Sequence, residues 1–129
     1  MDISRRKAQL LGAASIGAVF LLEAFNSFAC YHHDLETFLS AAAIFVAIPL
    51  TPAFVSIALP NPLRAVGACM LFAPWLLLAY YTDCVRPYSG GGASMIYVAV
   101  LMWGTLSSII GALIAGPITK GLRIRISDR

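Results

Sequence analysis

In a chain of 129 residues, nine Lys and Arg against six Asp and Glu leave a formal net charge of +3, yet only 12% of residues are charged and 60% are apolar. With a mean hydropathy of +0.83, this composition excludes an ordinary water-soluble domain, in which about a quarter of residues are charged. The expected fold class is all-α, a polytopic membrane protein. Lipid forces every backbone N–H and C=O to be satisfied internally, and the apolar runs are too long and too even for barrel strands, which alternate over about ten residues.

The first run, Leu10 to Ala29, follows the basic stretch Arg5-Arg6-Lys7 and matches the roughly 20 residues that a spanning helix needs. Ser27-Phe28-Ala29 imitates a signal-peptide cleavage site. The full spanning length and the presence of Glu23 favour a retained span. Glu23 is the only acidic residue inside a predicted span, and an ionisable group there costs about 2.5 to 3.5 kcal/mol on insertion scales. Asn26 and Ser27 lie one turn onward and reach the same side. Glu23 sits roughly 9 Å below the outer boundary, which brings Tyr80 and Tyr97 within reach. Two readings stand. Glu23 is a hydrogen-bonded or protonated side chain that fixes helix packing or pairs with a basic residue of a partner, or it is a proton or cation site.

The first loop opens at Cys30 and carries Tyr31-His32-His33-Asp34-Leu35-Glu36. The second run, Phe38 to Leu59, contains Pro49 and Pro52, each of which removes a backbone donor and clashes one turn back, so a kink is expected there. After the short turn Pro60 to Arg64, the third run, Ala65 to Thr82, holds Pro74, expected to bend it, and Cys69, read as a small buried apolar residue. The second outer loop, Asp83 to Ser94, opens at Cys84. Cys30 and Cys84 share a depth and a compartment, and an oxidising one would permit a disulfide. His32 and His33 with nearby carboxylates are weak metal candidates, because their spacing matches no closed zinc or copper motif. Ser89-Gly90-Gly91-Gly92 lacks the Gly-Lys-Ser/Thr of a phosphate loop and reads as a turn, with Ser94 capping the next helix.

The fourth run, Met95 to Gly116, repeats Gly104, Ser108, Ala112 and Gly116 every four residues, flanked by Ser107, Gly111 and Ala115. Such a stripe lets another helix approach closely. The first run carries a shorter version in Ala13, Ala14, Gly17 and Ala18. The stripe is expected either to pack the first helix against the fourth or to form an interface with a second copy or a partner.

The short connections make consecutive helices antiparallel neighbours, giving a single four-helix transmembrane bundle over residues 1–129. Arg5, Arg6, Lys7, Arg64, Lys120, Arg123, Arg125 and Arg129 fall on one face of it and Arg86 alone on the other. This eight-to-one split predicts cytoplasmic termini, and all five tyrosines fall near the opposite boundary. The same rule accounts for the basic ends without nucleic acid as a partner; anionic headgroups are their natural contact.

Length, four spans and a glutamate in the first are features shared with the small multidrug resistance transporters. Leu22-Glu23-Ala24-Phe25-Asn26 does not reproduce a motif of that family, and the charge bias departs from its dual-topology members. The chain is therefore not assigned to it. The expected function is that of a non-catalytic accessory or assembly subunit of a bacterial inner-membrane complex, bound to lipid and to another membrane protein or itself. The alternative is an oligomeric small-solute or ion transporter using Glu23. No cofactor and no catalytic constellation are expected.

Overall fold

The computed structural model describes residues 2–30, 32, 34–81 and 96–127, the side chains of Cys30, Ile96 and Tyr97 excepted. These residues are mostly helical. They form strand β1 (Asp2–Ser4), helices α1 (Arg5–Phe25), α2 (Leu35–Ala42), α3 (Thr51–Ala58), α4 (Leu63–Tyr80) and α5 (Ile96–Gly121), and strand β2 (Arg125–Ser127). Two π-helical segments extend the helices: Asn26–Cys30 continues α1, and Ala43–Ala47 continues α2. Three helical stretches are long and apolar enough to cross a membrane, Arg5–Ala29, Leu63–Tyr80 and Val98–Gly121. Leu35–Ala47 and Thr51–Ala58 make a fourth if counted together, bent by 68° at the break between them.

The first helix begins at Arg5 rather than Leu10, because Ser4 caps it and accepts the Lys7 N–H at 3.2 Å. The fourth predicted span stops at Gly116, whereas α5 continues through Pro117 to Gly121. It closes on Arg123, whose φ of 58° is the left-handed conformation of a helix terminus. There Ile124 N–H reaches the Thr119 carbonyl at 2.9 Å and Arg123 N–H that of Lys120 at 3.0 Å. The expectation of a purely helical chain needs correction: β1 and β2 pair in parallel, Asp2 opposite Arg125, Ile3 opposite Ile126 and Ser4 opposite Ser127. Three residues are too short for strand periodicity to show in a sequence.

The kink expected at Pro49 and Pro52 is present as the 68° break in the second span. Each proline in a helix deprives the carbonyl four residues earlier of its donor. Pro52 does this to Ile48, whose carbonyl accepts Thr51 Oγ1 at 2.8 Å and Thr51 N at 3.2 Å. Pro62 cannot serve Ala58 at the end of α3, and Arg5 Nη2 donates to that carbonyl at 3.2 Å, with Gln9 Nε2 on the Ile57 carbonyl at 3.3 Å. Pro117 leaves the Leu113 carbonyl to Arg64 Nη1, at 3.3 Å. Pro74, expected to bend the third span, lies inside α4, which is unbroken from Leu63 to Tyr80. Thr51→Val keeps the shape and removes the hydroxyl, so the folded state in detergent should lose about 1 kcal/mol, while Thr51→Ser should retain it; denaturant midpoints of the two variants give the comparison.

The core joins Ile16 and Val19 of α1, Val46 before the break and Leu50 within it, Ala53 of α3, Phe72 and Leu76 of α4, and Val100 and Ala112 of α5. Outward, α1 presents Leu10, Leu11 and Leu21, α4 presents Met70 and Leu77, and α5 presents Met102, Trp103, Leu106 and Ile110. An exterior this apolar, on helices long enough to span a bilayer, suggests a membrane protein.

Candidate functional site

At the end of α1, where the α-helix gives way to the wider π turn, Glu23, Asn26 and Ser27 are buried, with Glu23 only 1% exposed. Ser27 Oγ donates to Glu23 Oε1 at 3.3 Å. Asn26 Nδ2 donates to the Leu76 carbonyl of α4, also at 3.3 Å, and thereby fastens α1 to α4. The other end of the same amide, Oδ1, is buried with no hydrogen-bond partner among the described residues. A carboxyl, a hydroxyl and an amide are thus buried together, the amide bonded to the main chain of the core residue Leu76. Burying such groups is tolerable only where hydrogen bonds compensate them. Chemically, the arrangement can lock two helices together and can accept one further donor at Asn26.

The other residues singled out from the sequence distribute as follows. Tyr80 stacks on Phe25, with centroids 5.3 Å apart at 48°. Tyr97 is described only as backbone within α5. The proposed Cys30 to Cys84 disulfide cannot be placed, since Cys84 and the Cys30 side chain lie outside the described residues, as do Tyr31, His33 and the Ser94 cap. His32 is exposed with a φ of 55°. No group of three or more metal-ligating side chains occurs among the described residues. Cys69 is buried in the core as a free thiol.

The small-residue stripe of α5 meets α4, not α1. Gly111 lies on Gly67 so closely that a Cβ built on Gly67 would stand 2.5 Å from the Gly111 carbonyl oxygen and 2.8 Å from the Ala115 Cβ. Gly104 lies under the Phe72 ring, and Gly116 lies against the Arg64 guanidinium. Ser108 and Ala112 are buried as well, Ser108 with its Oγ unpartnered among the described residues. Trp75 Nε1 donates to Ser107 Oγ at 2.9 Å, pinning the same two helices further along. The first helix spends its own small residue Gly12 on Ala65 and the Pro62 carbonyl, at 3.1 and 3.2 Å from a Cβ built there.

Sequence reasoning overlooked Arg64, Gly67 and Trp75 as packing residues. The concentration of Ala65, Gly67, Ala68 and Cys69 at the start of the third span was a readable sign of close approach. Nothing in the sequence foretells the bond from Trp75 to Ser107.

No family model, curated protein or solved structure matches this chain.

Proposed function

We propose that the chain is a small integral membrane protein with four crossings and both termini in the cytoplasm of a bacterium, acting as a non-catalytic accessory or assembly subunit that docks against another membrane protein within the bilayer. The observation that carries this reading is the enclosure of Glu23. A carboxyl that conducts protons or solutes needs access to water, whereas this one is 1% exposed and hydrogen-bonded to Ser27 beside an amide that ties α1 to α4. The polar intramembrane groups set the shape of a scaffold, and its apolar exterior is left for lipid and for a partner. The inner-membrane orientation draws on the eight-to-one charge split and on the pairing of β1 with β2, which keeps the two basic chain ends together.

The alternative, an oligomeric transporter, is favoured by the 68° break in the second span and by Asn26 Oδ1, which has no partner among the described residues. Native mass spectrometry of the protein released gently from its own membranes separates the two. A stoichiometric second polypeptide is the expected result. A bare homo-oligomer overturns the accessory reading in favour of transport.

A further inference from the structure

A groove of about 570 Å³ runs between α3 and α5, with Val55, Leu59, Ile109 and Leu113 among its apolar walls and Asn61 and Arg64 at its polar end. The neutral polar groups there are already engaged. Asn61 Nδ2 donates to Thr119 Oγ1 at 3.1 Å, its Oδ1 accepts the Leu63 N–H at 3.2 Å, and Ser56 Oγ donates to the Pro52 carbonyl at 2.6 Å. Arg64 is different. Its Nη1 donates to the carbonyls of Ala112 at 2.8 Å and Leu113 at 3.3 Å, while Nε and Nη2 make no hydrogen bond and no carboxylate pairs with the guanidinium among the described residues.

The two main-chain bonds hold the guanidinium in place without neutralising it, because carbonyl oxygens bring no net charge. A planar fork held by one nitrogen, with two nitrogens that make no hydrogen bond among the described residues, at the edge of a groove is suited to take two oxygens of one anionic group. Depth selects the anion. Arg64 is the second residue of α4, whose apolar span runs from Leu63 to Tyr80, so on the membrane reading it stands at the level where phosphates of the bilayer meet acyl chains. The slot beside it is walled by aliphatic side chains.

We infer that this groove is a binding site for one anionic phospholipid, its phosphate on Arg64 Nε and Nη2 and an acyl chain along Val55, Leu59, Ile109 and Leu113. The inference rests on the membrane-integral reading above.

Full-length protein, stripped of lipid in detergent, is titrated with dioleoyl phosphatidylglycerol, with dioleoyl phosphatidylcholine and with glycerol phosphate, and bound mass is read by native mass spectrometry. One phosphatidylglycerol per chain is expected to bind first, with phosphatidylcholine weaker and glycerol phosphate without effect. Arg64→Gln should weaken phosphatidylglycerol about tenfold, the equivalent of one charge-assisted hydrogen bond. Val55→Trp should do the same by filling the groove while Arg64 stays, so the site remains testable if Arg64→Gln does not fold. Arg123→Gln should leave binding unchanged. Equal binding of the two lipids, competition by glycerol phosphate, or an equal loss in Arg123→Gln overturns the site. Alkaline carbonate extraction of the same membranes reads insertion separately. Protein that washes out removes the membrane reading itself, whereas protein that stays in the membrane yet binds no phosphatidylglycerol removes only the site.

Discussion

Gly111→Ala should lower the stability of the folded protein by about 2 to 3 kcal/mol, the upper part of the range for overpacking. The reason is what the added methyl would meet. A Cβ at Gly111 comes up against the Gly67 carbonyl, and one at Gly67 against the Gly111 carbonyl and the Ala115 methyl. Backbone cannot change rotamer, so the helices themselves have to separate. In doing so they weaken the adjoining contacts of Phe72 on Gly104 and of Arg64 on Gly116. Gly67→Ala should cost a similar amount, and the double variant less than twice as much, since one separation relieves both clashes. Gly17→Ala is the control, because a Cβ there meets nothing within 4 Å. Denaturant unfolding in mixed micelles gives all four values. Destabilisation of Gly17→Ala equal to that of Gly111→Ala would show that the crossing of α4 and α5 does not hold the fold.

Glu23→Ala is expected to cost about 2 to 3 kcal/mol, through the space left by a fully buried side chain and the loss of the carboxyl partner of Ser27. Glu23→Gln keeps the volume and an oxygen that can accept from Ser27, and should stay within about 1 kcal/mol of the parent. The pair of variants separates a packing role from a titrating one. If Glu23 locks the scaffold, the Gln variant also keeps whatever protein copurifies with the parent. A folded Gln variant that had lost that partner or a proton-driven flux would assign the carboxyl a chemical role. The contrast needs only thermal melts and a pull-down from solubilised membranes.

The reach of the sequence differs from element to element. The three long helices follow from apolar length alone, because a membrane leaves so few structures open to the backbone. The kink at Pro49 and Pro52 follows from the missing donors. The extension of α5 past Pro117 does not, since it depends on Arg64, distant in the chain, attending to the freed Leu113 carbonyl. In the candidate site, the spacing of Glu23, Asn26 and Ser27 on one helix face was legible, but the bond from Asn26 to Leu76 was not, because a main-chain acceptor on another helix leaves no mark in composition. The stripe on α5 announced a close neighbour without naming it. Small residues in both α1 and α4 could answer it, and only the fold chooses α4.

The pairing of β1 with β2 has a consequence for counting. In the proposed membrane protein, strands lying side by side put both chain ends on one side of the bilayer, and a chain that crosses a bilayer returns to its starting side only after an even number of passages. Under the proposal that α1, α4 and α5 each cross once, the bent segment from Leu35 to Ala58 would then have to complete a passage of its own despite its 68° break. If it dipped in and came back, the total would be odd and Ile3 could never meet Ile126. In the proposed topology, a ribbon of three residues per strand and an even number of crossings therefore stand or fall together.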